Sequence, residues 1–433
     1  MDADQSKPPR LSGVAVFFCV FLPFALGHYL SSLLRNVNAV LAPSLMASLA
    51  LTPGQLGLLT SAFFFSFALV QLPVGIALDR YGPRRVQVVM MTIGALGVLM
   101  FALGQNFGQL LFARFLMGFG LGGCFMSAVK AVATWISPKR LPSVQGTLMA
   151  VGGLGAASST LPVRLALDYT DWRGLFVVLA ALTACCGLFI RLVAPPAAAG
   201  STATPTLRSI LDVYNAPAFR RTIALLLVPH MVFFGIQGLW IGRWLSDVAR
   251  FPDSAVAYLL YLGMASIIFG AIAVGMITEW AGRRGIAALD VAAIGVTLFV
   301  LVQIGVVLNY RPSLQMLSVL FPLVGTITGI EFAIVAQSMP KELIGRAATC
   351  LNLLIFVGAF LVQAGFGQII GLWQPDAANH YPVVAYQVAF GALVALQLPG
   401  LVRYFLRRRP VQCEIAQITP KEDYEIGTLR SPR

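Results

Sequence analysis

Twelve stretches of about 20 or more mostly apolar residues divide this chain, and that length is what an α-helix needs to cross the hydrocarbon core of a bilayer. They lie near 14–41, 55–78, 86–106, 108–133, 142–167, 174–194, 221–246, 255–279, 286–308, 313–337, 345–371 and 383–405. The stretches are continuously apolar rather than alternating, which argues against a closed β-barrel. Hydrophobic residues make up 58% of the 433 residues and charged residues 11%, a balance no ordinary soluble domain of this length shows. The expected fold is an all-α membrane protein with twelve transmembrane helices in the lipid bilayer.

The charges set the expected orientation. Lys7, Arg10, Lys139, Arg140, Arg191, Arg220, Arg221, Lys341 and Arg346 fall in the tails and the even-numbered connections, while the opposite loops carry little beyond Arg173, Arg250 and Arg311. Basic loops stay on the cytoplasmic side, so both termini are expected to be cytoplasmic, in a multi-pass protein of the cell inner (plasma) membrane. The net charge of +13 follows from these short clusters at helix ends, and no nucleic-acid partner is expected. Lys7 and Arg10 precede an apolar run much longer than a signal-peptide core, with no small-residue cleavage site ending it, so the first segment is expected to remain. Cys19, Cys124, Cys185, Cys186, Cys350 and Cys413 show no metal-ligand spacing, and neither a metal nor a cofactor is expected.

Between the sixth and seventh runs, 194–205 is rich in Pro, Ala, Ser and Thr, and 207–221 reads as a short amphipathic helix on the inner surface. The expected organisation is therefore a cytoplasmic tail (1–13), a six-helix bundle (14–194), a cytoplasmic linker (195–220), a second six-helix bundle (221–405) and a polar cytoplasmic tail (406–433).

A short charged turn occurs twice. Gly75-Ile-Ala-Leu-Asp79-Arg80-Tyr-Gly82-Pro-Arg84-Arg85 returns as Gly275-Met-Ile-Thr-Glu279-Trp-Ala-Gly282-Arg283-Arg284, an offset of 200 residues. The glycines allow close backbone approach or positive φ, or simply tighten a turn. Asp79 can face a helix N-terminus or pair with the arginines beside it. Pro138-Lys139 and Pro340-Lys341, Thr147 and Thr349, and His28 and His230 are further pairs, each 202 residues apart.

This turn resembles the loop signature of the major facilitator superfamily (MFS), found between helices 2 and 3 and, weakened, between helices 8 and 9. The resemblance covers essentially residues 11–409. It implies two pseudo-symmetric six-helix bundles, each an inverted three-plus-three repeat. It also implies a role for Asp79, with Arg84 and Arg85 as partners, in holding the halves together on the cytoplasmic side in the outward-facing state. Helices 1, 4, 7 and 10 of that architecture line the central cavity.

Charge inside a membrane span costs at least about 2.5 kcal/mol on insertion scales, so such residues usually line a water-filled path. His28 and Arg35 fall in run one, Arg114 and Lys130 in run four, His230 in run seven and Glu331 in run ten. Arg35, with Tyr29, Asn36 and Asn38 nearby, suits a bidentate carboxylate or phosphate. The segment from Arg35 to Pro43 resembles helix 1 of the organophosphate:phosphate antiporter branch. That branch's partner arginine in helix 7 is missing between His230 and Trp240. Arg114-Phe-Leu-Met-Gly118-Phe-Gly120-Leu-Gly122 resembles a helix-4 signature of proton-coupled members, although glycines at this spacing also permit close packing.

Lys130 and Glu331 are expected at similar depth. Either they pair or nearly pair across the halves when the cytoplasmic side is closed and separate when it opens, or each meets a backbone group or water inside its own half. Glu331 is the best protonation candidate. His28 and His230 could bind substrate or titrate near neutral pH. Gln237 and Asn352 are expected in the cavity wall or between helices, with Trp240, Trp244 and Trp373 as interfacial anchors. His380 reads as solvated.

Together these residues point to a monomeric secondary transporter of a small organic solute, expected to be an anion, working by alternating access, with proton coupling open. No P-loop supports an ATP-driven pump, and no nucleophile–base pair supports an enzyme. A multidrug/proton antiporter is the alternative, although 152–162 lacks the Gly-Pro signature of exporters. A non-transporting sensor on the same scaffold is the alternative of another class.

Overall fold

The computed structural model describes residues 13–136, 141–196, 207–340, 343–377 and 379–407. Lys7, Arg10, Lys139, Arg140, Lys341, Cys413, most of the linker's first half and the tail beyond 407 lie outside them. Every regular element among the described residues is helical.

The first half comprises α1 (Gly13–Val16), a π-helical turn (Phe17–Phe21), α2 (Leu22–Asn36), α3 (Asn38–Leu49), α4 (Pro53–Leu103), α5 (Phe107–Leu121), α6 (Cys124–Trp135), α7 (Leu141–Ser158), α8 (Leu161–Ala166) and α9 (Trp172–Val193). After α10 (Leu207–Asn215), the second half comprises α11 (Pro217–Gln237), α12 (Trp240–Asp247), α13 (Asp253–Arg283), α14 (Ala288–Leu308), α15 (Leu314–Gly325), α16 (Ile330–Ser338), α17 (Ile344–Ile370) and α18 (Val383–Arg407).

Among the described residues, ten helical segments are long and apolar enough to cross a membrane. The 51-residue α4 supplies two of the expected spans, joined through Gly82 at φ 76° and ψ 161°. The fifth expected run is split into α7 and α8 by a turn at 159–160. Outward faces carry exposed leucine, valine and phenylalanine, such as Val178, Leu182 and Leu188 on α9. Such a surface is tolerable only where lipid covers it.

Local chemistry sets the helix ends. Thr52 and Gln55 form a reciprocal capping box at the start of α4, and Asp171 caps α9 by accepting from the Gly174 amide at 2.8 Å. Ala216-Pro217 starts α11 four residues before the expected boundary at 221, because proline fits the first helical turn. Glycines let α5 sink into α4. A Cβ on Gly118 would meet the Phe63 carbonyl oxygen at 2.2 Å, and one on Gly120 would meet the Gly94 nitrogen at 2.2 Å. The glycine-rich helix-4 segment thus serves close packing.

Besides the fifth run, four of the expected spans are interrupted. The first breaks between α2 and α3 at Val37, the fourth between α5 and α6 at Gly122-Gly123, and the seventh between α11 and α12 at Gly238-Leu239. The tenth passes through a 3-10 turn, Thr326–Gly329, between α15 and α16. Among them are the runs that carry the buried charged or titratable residues Arg114, His230, Arg243 and Glu331.

The halves meet mainly where α4 crosses α17, α7 and α8 cross α13, and α3 meets α12. At one end the contact is backbone against backbone. A Cβ on Gly57 would lie 2.8 Å from the Gln363 carbonyl oxygen, one on Gly367 2.5 Å from that of Pro53, and one on Gly242 2.9 Å from that of Ala39. Trp240 Nε1 donates to the Gln363 carbonyl at 3.0 Å, and Phe67 stacks on Phe356 at 4.4 Å between ring centres. That end is sealed. Trp240 and Trp244, expected as interfacial anchors, are instead buried in the seal because the break at Gly238 turns α12 inward against α3.

Candidate functional site

Between the halves lies a cavity of about 1300 Å³. Its closed apex is formed by Ser32, Arg35 and Asn36 of α2 and by His230, Phe234 and Gln237 of α11. Its walls run toward the other end past Asp79, Lys130 and Arg346, so it opens at the end that bears the α4 bend.

Arg35 is the principal charged group at the apex. Its Nη2 donates to Ser32 Oγ at 3.2 Å, its Nε is buried without a partner, and its guanidinium carbon lies 5.5 Å from the centre of the Phe234 ring. No carboxylate pairs with it among the described residues, so its charge is left to the cavity. Opposite, the Gln237 amide is buried with neither its oxygen nor its nitrogen bonded to protein. It ends α11 at the break, where its main chain leaves the helix.

His230 and Glu331 form a single unit. His230 Nδ1 bonds to Glu331 Oε1, the carboxylate is fully buried behind the ring, and Glu331 Oε2 has no protein partner. The imidazole stacks on Phe234 with ring centres 5.1 Å apart and planes at 20°, and Phe332 meets it edge-on. His230 faces the cavity; Glu331 does not.

With the cavity open at the end that bears the α4 bend, Lys130 and Glu331 stand apart, Lys130 on Asp79 within the first half and Glu331 on His230 within the second. The pairing expected across the halves belongs to the state with that end closed. The structure corrects other expectations. Asp79 does not pair with Arg84 or Arg85. Arg84 instead donates to the Arg191 carbonyl at 2.5 Å, because the bend at Gly82 swings it toward α9.

Glu279 pairs with Arg283 at 2.6 Å, one turn along the same helix, and Arg80 and Arg284 lie over Tyr81 and Trp280. Of the four signature glycines only Gly82 takes positive φ. Gly75, Gly275 and Gly282 neither take it nor pack tightly, and the second copy's positive φ falls on Gly285.

Tyr29 and Asn38 leave the cavity wall. Tyr29 is turned about 100° from His28 around α2, and its carbonyl abuts Gly155 of α7. Asn38, beyond the Val37 break, donates to Thr60 Oγ1 at 3.0 Å inside the first bundle. Arg114 is fully buried away from the cavity, donating to the Leu34 carbonyl at 2.8 Å between the Phe63 and Phe101 rings. It braces the helix-1 break beside Arg35. His28 does line the cavity, 5.0 Å from Phe125, yet it lacks a carboxylate partner, so the two histidines related by sequence offset are not equivalent.

Sequence reasoning passes over one cluster. Arg243, inside the seventh run, binds Asp247 at 2.8 Å, and that fully buried carboxylate also accepts from Tyr386 at 2.7 Å and bonds His380 Nδ1 at 3.1 Å. His380, expected to be solvated, is held there, while Arg250 and Asp376 pair beside it at 2.7 Å. The i,i+4 spacing of Arg243 and Asp247 is the signal that could have revealed the pair.

Comparison with known proteins follows the same lines. A family model described as Major Facilitator Superfamily matches residues 24–363. A probable sulfoacetate transporter of Cupriavidus necator is 30% identical over 156 residues, 36% of each chain. A hexuronate transporter of Bacillus subtilis is 31% identical over 160 residues, 37% of this chain and 38% of its own. These matches span little more than a third of those relatives' lengths. A cis,cis-muconate transport protein of Acinetobacter baylyi is 28% identical over 320 residues, 70% of this chain and 76% of its own. Among solved structures, a bacterial homologue of the human lysosomal transporter Spinster, inward-facing and unoccupied, superposes with a TM-score of 0.75 at 16% identity, covering 92% of this chain and 97% of that one. At that identity the likeness is one of fold.

Proposed function

This chain belongs to the major facilitator superfamily, and from that premise we propose that it is a secondary transporter of small organic anions working by alternating access in the cell inner membrane. The observation that carries the reading is Arg35, an uncompensated guanidinium at the closed apex of a cavity between two halves. A desolvated arginine offers a planar pair of donors matched to a carboxylate or sulfonate, and Gln237 across the apex has donor and acceptor capacity to spare. The printed names of the relatives, which include sulfoacetate, hexuronate and cis,cis-muconate carriers, support an acidic cargo.

In this reading the termini and the open mouth are cytoplasmic, and the six-helix units 14–194 and 221–405 rock about the apex in a monomer. The 195–220 linker ties the units together on that side. Asp79 exchanges Lys130 for a contact with the second half when the mouth closes. Glu331 is the residue that carries a coupling proton. A drug/proton antiporter is the second reading, favoured by the phenylalanines along the cavity, Phe67, Phe125, Phe233, Phe234, Phe332 and Phe356.

Thermal stabilisation of the purified protein by carboxylates, sulfonates, phosphates, amino acids and lipophilic cations separates the two, with Arg35→Ala measured in parallel. Stabilisation by anions that disappears in the variant is the expected result. Stabilisation only by lipophilic cations, unchanged in the variant, would overturn the anion reading.

A further inference from the structure

The anion reading leaves one cavity group unexplained. Arg35 accounts for an acidic end of the cargo, yet the second half presents a built pair, His230 with Glu331, a short way across the apex. The Phe234 ring lies against both groups, 5.5 Å from the Arg35 guanidinium carbon and 5.1 Å from the imidazole centre, so the two side chains stand within roughly 11 Å of each other.

The chemistry of the pair is directional. While Glu331 is ionised, its fully buried carboxylate holds a proton on Nδ1 and fixes the ring, much as carboxylates orient the histidines of metal sites and catalytic triads. Phe234 and Phe332 clamp the ring from its face and edge. The ring nitrogen left over is Nε2, which makes no hydrogen bond to the described protein although the residue lines the cavity. When the ring is neutral, Nε2 accepts from a hydroxyl; when it is charged, Nε2 donates to a second carboxylate. The other charged or titratable groups facing the cavity are His28 and Arg35 on α2, Cys350 on α17 and, nearer the mouth, Asp79 with Lys130 and Arg346.

We propose that His230, oriented by Glu331, is a second anchor opposite Arg35, and that the cargo is a short acid carrying a second oxygen group, a hydroxyl or a carboxyl, that bridges the two halves. The inference rests on the anion reading. Because each end of such a molecule is held by a different half, its binding favours the state in which the apex is assembled. A monofunctional acid reaches only Arg35 and leaves Nε2 unmet. Glu331 acts in this scheme as a positioning residue.

The test uses three acids of equal chain length, butyrate, succinate and 4-hydroxybutyrate, titrated by thermal stabilisation of the full-length purified protein. At least one bifunctional acid is expected to bind about tenfold or more tightly than butyrate, since a site built to hydrogen-bond a group discriminates against its absence. In His230→Asn, whose amide reaches Nδ1's position but not Nε2's, that preference is expected to fall to near unity while butyrate binding persists. His230→Gln, whose amide reaches the Nε2 position, is expected to keep most of it. Glu331→Ala, which frees the ring, is expected to weaken the preference and spare butyrate.

Equal affinities for all three acids in the unmodified protein, or a preference unchanged in His230→Asn, would overturn the second anchor alone. Absence of binding by any anion would overturn it together with the anion reading beneath it.

Discussion

The two ends of the interface between the halves are held in opposite ways. At the sealed end, glycines bring backbones of α4 and α17 into contact, Trp240 is locked onto Gln363, and the neighbouring Arg243–Asp247 pair is buried and saturated with partners. At the open end, Asp79 and Lys130 are partly exposed, and Glu279 and Arg283 largely so, with each pair confined to one half. The sealed end is therefore a packed core that tolerates little change. The open end is a set of loosely held charges, which in the proposed alternating-access cycle find new partners when the mouth closes. That asymmetry is what a molecule needs if one gate is shut and the other is between contacts.

Four substitutions probe it, in falling order of expected effect. Asp247→Ala strands the Arg243 guanidinium in the interior and is expected to cost about 3–5 kcal/mol, seen as a large drop in Tm. A variant as stable as the parent would mean that the cluster contributes nothing to the sealed end.

Gly367→Val forces a side chain toward the Pro53 carbonyl and Trp240, and overpacking of this kind costs about 1–3 kcal/mol. The cost should be relieved by opening the seal, so a cysteine placed at Gln237 is expected to become labelled by an impermeant thiol reagent added from the sealed side. Labelling no faster than in the same cysteine variant without Gly367→Val would break the comparison.

The two copies of the repeated turn offer a sharper contrast. Gly82→Ala imposes a Cβ at positive φ and is expected to destabilise by about 1 kcal/mol or more, whereas Gly282→Ala, in ordinary helical backbone with open space around it, is expected to be neutral or slightly stabilising. Equal effects on Tm would show that the copies are conformationally alike after all. Smallest of all, Lys130→Ala removes a partly exposed pair and is expected to change stability by less than about 1 kcal/mol. A larger loss would move the open end into the same class as the sealed one.

The sequence carried the fold in its hydropathy, since run length and the absence of alternation leave few architectures open. It also placed Arg35, His230 and Gln237 in the cavity, because an isolated polar residue in an apolar run needs a polar surrounding. What it could not carry was azimuth. Tyr29 and Asn38 sit beside cavity residues in sequence and face away from them in space.

The breaks within spans were only partly legible. Gly122-Gly123, Gly238 and Gly329 mark three of them, but Val37 carries no such signal, and its break lies among the bonds made by Asn36, Asn38 and Arg114. Arg243 was hidden by its position in a run that looks continuous until the break at Gly238 is known.

The most direct test of the account is uptake of a radiolabelled acid, the one that stabilises the protein best, into proteoliposomes containing the unmodified protein, Arg35→Lys or Arg35→Ala. The account predicts saturable uptake by the unmodified protein, weaker uptake by Arg35→Lys, and loss of about a hundredfold or more in Arg35→Ala, as follows from removing a charge-assisted pair in a desolvated site. Uptake by Arg35→Ala at the rate of the unmodified protein would contradict it.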